Sequence, residues 1–272
     1  MLPENSVFTF SEPEKQLINS RQGYADSKLT PEVIDYEMQL PRDCTTLLLR
    51  GLTQDGLEYF VTKYGATYKT LYLDYCAYIK DFSPLEDLVD LNSIRIEWCR
   101  SADRLWNLSK NISLKVLSIH DAKKITNAPT LLQTSSTLEE IRFWGNCETK
   151  YTLESLDCFV DIESLKRIDL NNIKLKNHNF RALYTLPNLE QFHFDASMLS
   201  TEEIAWICAH FPDLKGDSLR AYTENEASCI HDVRVCGYKK PGLYLPEDQA
   251  RLNKYISEFD ALVEKYKNSD KN

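Results

Sequence analysis

A catalytic reading of this sequence would recruit four side chains for acid–base chemistry: His120, His193, Asp169 and Asp195. An imidazole beside a carboxylate can shuttle a proton near neutral pH, so a pairing among them would point to hydrolysis or proton abstraction. Their context does not supply the rest of an enzyme. There is no Gly-rich phosphate loop, no GxSxG and no HExxH, and eight glycines give cofactor loops little to build on. Eight cysteines (Cys44, Cys76, Cys99, Cys147, Cys158, Cys208, Cys229 and Cys236) are spread along the chain without a CxxC, unlike a small disulfide scaffold. Cys208 with His210 is the nearest thing to a metal pair, but side chains at i, i+2 diverge on a helix. No metal, no small-molecule cofactor and no catalytic activity are expected.

Composition narrows the partners. With 32 basic against 41 acidic residues the 272-residue chain carries a formal charge of −9, which disfavours a phosphate backbone or an anionic lipid surface. Nucleic acid and membrane are therefore not expected as partners. The opening MLPENSVFTF has neither the basic stretch nor the apolar run of a signal peptide, and no segment reaches the roughly 18 apolar residues of a membrane span, so a cytoplasmic location is expected.

The elements that must position any functional group are set by a repeat. The pattern apolar-x-x-apolar-x-apolar returns as Cys44/Leu47/Leu49, Tyr68/Leu71/Leu73, Leu91/Ile94/Ile96, Leu114/Leu117/Ile119, Leu138/Ile141/Phe143, Leu165/Ile168/Leu170 and Leu189/Phe192/Phe194. First positions lie 24, 23, 23, 24, 27 and 24 residues apart, and a degenerate eighth unit starts at Leu214, with Asp217 in place of its second apolar residue. The alternation x-L-x-L-x buries one face of a short strand and leaves the other to solvent. Between strands, Leu57/Phe60/Val61, Leu85/Leu88/Val89, Leu153/Leu156/Phe159 and Ile204/Ile207/Cys208 have helical spacing, with Ser83-Pro84 and Ser200-Thr201 as start signals.

These residues resemble the LxxLxLxx(N/C) core of leucine-rich repeats over roughly residues 40 to 220, and Phe82 to Leu91 is similar to the convex segment of short bacterial internalin-like repeat proteins. The resemblance implies an α/β right-handed solenoid, a horseshoe with a parallel concave sheet. It also implies that Cys76, Cys99 and Asn146, at the ninth repeat position, turn inward and hydrogen-bond the backbone of the turn. Leu52, Ala122, Ile173 and Ser197 depart from that pattern. Residues 1–40 are polar and repeat-free and read as an N-terminal cap, 41–222 as the repeats, and 223–272 as a connector and capping helix. Leu252, Tyr255, Ile256, Phe259, Leu262, Val263 and Tyr266 share one face of that helix, and a strand is expected at Asp232 to Val235.

In such a solenoid the third, fifth, seventh and eighth positions of each unit face the concave side. The candidate partner-binding residues are Tyr72, Asp74, Tyr75, Arg95, Glu97, Trp98, His120, Arg142, Trp144, Asp169, His193 and Asp195. Tyr, Trp and Arg dominate the energetic centres of protein interfaces. Register places His120 and His193 three strands apart, about 14 Å, which is too far for a dyad. The expected function is binding of a protein on the concave face, in the form of a bacterial inhibitor or immunity protein that neutralises a toxin. An exported internalin-like adhesin or effector is the alternative, and an enzyme using the concave acids stands behind both. Cys147 and Cys158 fall in the longest unit, whose extra residues suggest a loop beside the binding face.

Overall fold

The computed structural model describes residues 15–19, 27–39, 44–122, 124–125, 131–146, 150–224 and 231–269. Two compact units, Met1–Leu138 and Glu139–Asn272, make up the chain. Both are mixed α/β with parallel strands.

In the first unit, strands β1 (Lys15–Leu17), β2 (Thr46–Arg50), β3 (Thr70–Asp74), β4 (Ser93–Glu97) and β5 (Val116–His120) pair in parallel in sequence order. Register follows the repeat: Leu47, Leu71, Ile94 and Leu117 form one column, and Leu49, Leu73, Ile96 and Ile119 the next. All eight are buried, with at most 2% exposure. Burying such a chain of aliphatics removes about 1.5–3 kcal/mol worth of apolar surface per side chain from water, which is what holds the columns in register.

The strand β1 is absent from the sequence reading, which took residues 1–40 as a polar cap. Leu17 pairs with Leu49, and Leu29 bridges to Leu52, so the N-terminal segment adds one more layer of core with Ile34 of helix α1 (Pro31–Glu37). Three residues are too few for periodicity to register. Asp35 of α1 accepts hydrogen bonds from Tyr59 (2.6 Å), Tyr64 (2.6 Å) and Lys63 (2.8 Å), all on or next to helix α2 (Gln54–Lys63). Those donors, Lys63 first, draw its pKa down to about 2.

Helix α2 forms as expected, capped by Thr53 Oγ1, which accepts from the Gly56 amide at 3.2 Å. Expected helical turns further on shrink to 3-10 turns at Ser83–Asp87 and Leu156–Phe159, with Val89 46% exposed and Leu153 in a strand instead. A 3-10 turn rises about 2 Å per residue against 1.5 Å for an α-helix, so it spans a short return with fewer residues. Asn111 ties these returns together: its Nδ2 donates to the Leu85 and Leu88 carbonyls (2.9 and 3.0 Å), while its Oδ1 accepts from Trp106 Nε1 (2.8 Å).

In the second unit, β6 (Glu140–Trp144), β7 (Tyr151–Leu153), β8 (Arg167–Asn171), β9 (Ile173–Leu175) and β10 (Gln191–Phe194) follow in sequence. Strands β6, β8 and β10 pair in parallel, Ile141 to Ile168 to Phe192 and Phe143 to Leu170 to Phe194, and β7 pairs with β9. Helix α3 (Thr201–His210) starts at a capping box in which Ser200 and Glu203 satisfy each other's amides. The degenerate eighth unit contributes one bridge, Gln191 to Lys215. Strands β11 (Tyr222–Glu224), β12 (Val233–Val235) and β13 (Gly242–Leu243) form an antiparallel sheet. Helix α4 (Gln249–Ser269) packs on α3. Its Leu252 joins Val233, Val235 and Leu243 in a buried cluster, and Phe259 is also buried.

Candidate protein-interaction face

In each unit the strand positions between the core columns form a second face, more crowded than its alternating sequence suggests. Tyr72, Asp74 and Arg142, expected in solvent, are 7%, 8% and 7% exposed. Thr46, Arg50, Val116, Ser118, Glu140 and Arg167 are buried too. Parallel strands stand only about 4.8 Å apart, so long side chains in one row lie across each other.

In the first unit the seventh-position row reads Arg50, Asp74, Glu97, His120, one residue per strand. Arg50 Nη1 makes an ion pair with Asp74. Burial nevertheless leaves the Asp74 pKa raised, against the pull of Arg50. Arg95 Nε donates to Glu97 Oε1 at 2.8 Å, and His120 Nδ1 lies 3.2 Å from the same oxygen. Burial pushes the Glu97 pKa up, but His120 and Arg95 outweigh it and hold the carboxyl below its usual range.

The eighth position has a special backbone. Gly51, Tyr75, Trp98 and Asp121 have φ of +74°, +50°, +57° and +52°. Their strands' last bonds reach one residue beyond the ladder: Gly51 N donates to Asp74 O (2.9 Å), Tyr75 N to Glu97 O and Trp98 N to His120 O (both 3.1 Å). The left-handed conformation then turns the chain back toward the core. For a bulky L-residue it costs about 1–2 kcal/mol, offset here by those bonds and by stacking. Tyr75 and Trp98 stack with centroids 5.4 Å apart and planes 13° apart, and Trp98 meets His120 at 5.4 Å and 50°. Arg50 lies 4.0 Å over the Tyr75 ring and Arg100 5.0 Å over Trp98. Tyr75 is 46% exposed and Trp98 is partly exposed. A positioned row of rings flanked by guanidinium groups is the result.

Arg100 was missed by the sequence reading because it lies beyond the strand, where register no longer assigns a face. Its Nε donates to the fully buried Asp121 carboxylate at 2.9 Å, which fixes the guanidinium near Trp98. Behind the rings, Cys76 and Cys99 turn inward and are fully buried. Cys76 Sγ accepts from the Leu52 amide (3.3 Å), and Cys99 Sγ lies 3.4 Å from Glu97 O. Burial raises the Cys99 pKa, so this thiol is a packing element rather than a nucleophile.

Trp144 belongs to the second unit, where its Nε1 donates to Asp169 Oδ1 at 3.2 Å and the Arg142 guanidinium lies 5.9 Å from its ring. His193 is held between Asp217 (Nδ1, 3.2 Å) and Gln191 (Nε2, 3.2 Å), and Asp217 comes from the degenerate eighth unit. Asp195 accepts from the Asn172 amide at 2.5 Å, and burial raises its pKa. Glu140 is buried in the row ahead of these, and burial pushes its pKa up to about 8. The candidate acid–base residues are thus held by separate neighbours: His120 by Glu97, Asp169 by Trp144, His193 by Asp217, and Asp195 by Asn172. Cys147 lies outside the described residues, while Cys158 is buried.

Fold and face together define a mixed α/β protein of parallel-strand repeats that presents aromatic and charged side chains beyond its strands. No known family's model matches the chain, and no curated protein matches it. Among solved structures it is similar to a chain of the octameric complex of Latrophilin 3 (Lec, Olf), Unc5D (Ig, Ig2, TSP1) and FLRT2 (LRR), at 14% identity and a TM-score of 0.34, covering 66% of this chain and 71% of that one. Among the described residues no helix is long and apolar enough to cross a membrane.

Proposed function

We propose that this chain is a leucine-rich-repeat interaction module, with residues 41–222 as its repeats, whose activity is to bind a protein partner on the strand face. The observation that carries the reading is the stacked row Tyr75, Trp98 and His120 with Arg50 and Arg100 over its rings. Rings already held in place lose little rotamer freedom on docking, and the partly exposed Tyr75 and Trp98 with the exposed Arg100 provide the large contact area on which interfaces depend. Arg95 and Glu97 of this unit, and Trp144, Asp169 and His193 of the second, are the further candidates on the same strand positions.

The biological form proposed is an inhibitor, such as a bacterial immunity protein that occludes a toxin in the cytoplasm, since occlusion needs only surface complementarity. A catalytic role is not proposed, because the candidate acids and imidazoles are engaged with separate partners. Cross-linking of the wild-type chain in its native cell, repeated with Tyr75→Ala/Trp98→Ala, tests the reading. A partner captured by the first and lost from the second, with folding unchanged, supports it. Partners captured equally by both remove this face from the function.

A further inference from the structure

At the carboxyl ends of β8 and β10 the second unit opens a cleft of about 500 Å³, lined by Lys150, Asn171, Asn172, Asp195, Ser197 and Arg234. Its chemistry is unlike that of the chain as a whole. The protein carries a formal charge of −9, yet two of the three charged side chains that line this cleft among the described residues are cations. Lys150 and Arg234 are exposed, and neither side chain makes a hydrogen bond or ion pair to another described residue. The Asn171 amide and the Ser197 hydroxyl are likewise uncommitted among the described residues.

Among the described lining residues the carboxylate is Asp195, whose Oδ2 already accepts from the Asn172 amide at 2.5 Å. Both cations lie near enough to act on it electrostatically, but they do not close on it, and burial still raises its pKa. Two cations whose side chains hydrogen-bond to no described residue, an amide and a hydroxyl thus line one open volume whose acid, among the described residues, is turned to the backbone. A compact, doubly charged oxyanion answers that arrangement: an ammonium supplies point charge, a guanidinium a planar fork of donors, and the polar groups further bonds. The volume exceeds that of a bare ion and leaves room for a hydroxylated body against Asn171 and Ser197.

We propose that this cleft binds a phosphate group, either free or carried by a small polar molecule. The site does not depend on the protein-binding reading, since it shares none of the Tyr75 and Trp98 surface.

The test is titration calorimetry on the full chain with inorganic phosphate, with a pentose phosphate and with the unphosphorylated pentose, at ionic strength matched by chloride. Saturable binding of phosphate or of the pentose phosphate, with a Kd below about 10 mM, is expected, with the sugar alone silent. Equal affinities identify the free ion as ligand, and tighter binding of the pentose phosphate identifies the carrier. Lys150→Ala with Arg234→Ala should weaken binding at least about tenfold, and Asp195→Asn, which removes the opposing charge, should tighten it. If Arg234→Ala disturbs β12, Lys150→Ala alone carries the test, because that side chain makes no hydrogen bond or ion pair to another described residue. Trp98→Ala should leave the titration unchanged. Absence of saturation with either phosphate compound, or binding indifferent to Lys150 and Arg234, would overturn the proposal.

Discussion

The indole of Trp98 lies face to face with the phenol ring of Tyr75, 5.4 Å away and 13° from parallel, although the two residues are 23 positions apart in sequence. Each sits where its strand ends and the backbone takes a left-handed turn, so the stack repeats the strand spacing in its side chains. The turn belongs to the repeat, since Gly51 and Asp121 share it; the rings are particular to these two units.

Replacing both rings should separate binding from folding. Tyr75→Ala with Trp98→Ala removes one aromatic pair, worth about 0.5–1.5 kcal/mol, and leaves the apolar columns untouched. Differential scanning calorimetry should show a drop of only a few degrees, while affinity for a captured partner falls about a hundredfold, the equivalent of about 2.7 kcal/mol. A double variant that no longer folds would assign the rings to the core.

Leu117→Ala should behave in the opposite way. The side chain is fully buried between Ile94 and the neighbouring column, and truncation leaves a cavity costing about 2–5 kcal/mol. Urea unfolding followed by far-ultraviolet circular dichroism measures it. A loss under about 1 kcal/mol would mean the site collapses around the missing methyls or that the register is wrong.

Glu140 should make stability depend on pH in an unusual direction. Its folded pKa is raised by burial from 4.5 to about 8, so between those values the folded chain binds the proton and the unfolded chain does not. Its contribution is therefore full below about pH 4.5 and declines as pH rises through the folded pKa. Glu140→Gln should raise the melting temperature more at pH 8 than at pH 5. An equal shift at both pH values would show that Glu140 keeps an ordinary pKa.

Removing residues 246–272 should uncover the apolar cluster of Val233, Val235 and Leu243 and the surface of α3 on which α4 packs. Exposed apolar surface of this kind drives association. Size-exclusion chromatography is expected to show oligomers or aggregate, and the single change Leu252→Ala a milder loss of stability. A truncated chain that stays monomeric with unchanged melting would show that α4 caps nothing.

Much of this was legible in the residues themselves. Leu47, Leu71, Ile94 and Leu117 recur at nearly constant spacing because each strand must bury the same face, and a burial requirement repeated in space is written as a period in sequence. The helix start at Ser200, the strand near Val233 and helix α4 follow from similarly local rules, while the inward Cys76 and Cys99 follow from the resemblance to the repeat pattern. Other features had no local signal. Lys15–Leu17 is too short to show alternation, and it is a strand because β2 offers an edge to pair with. Tyr72 and Arg142 alternate like solvent-facing residues, yet neighbours on adjacent strands bury them. Arg50 over Tyr75, Arg100 over Trp98, and Lys150 with Arg234 around one cleft join residues 2 to 84 positions apart. Period determines which side chains leave the core, because the strand alternates whatever surrounds it; only the folded chain decides which of them meet, because lateral neighbours are set by strand pairing and turn geometry.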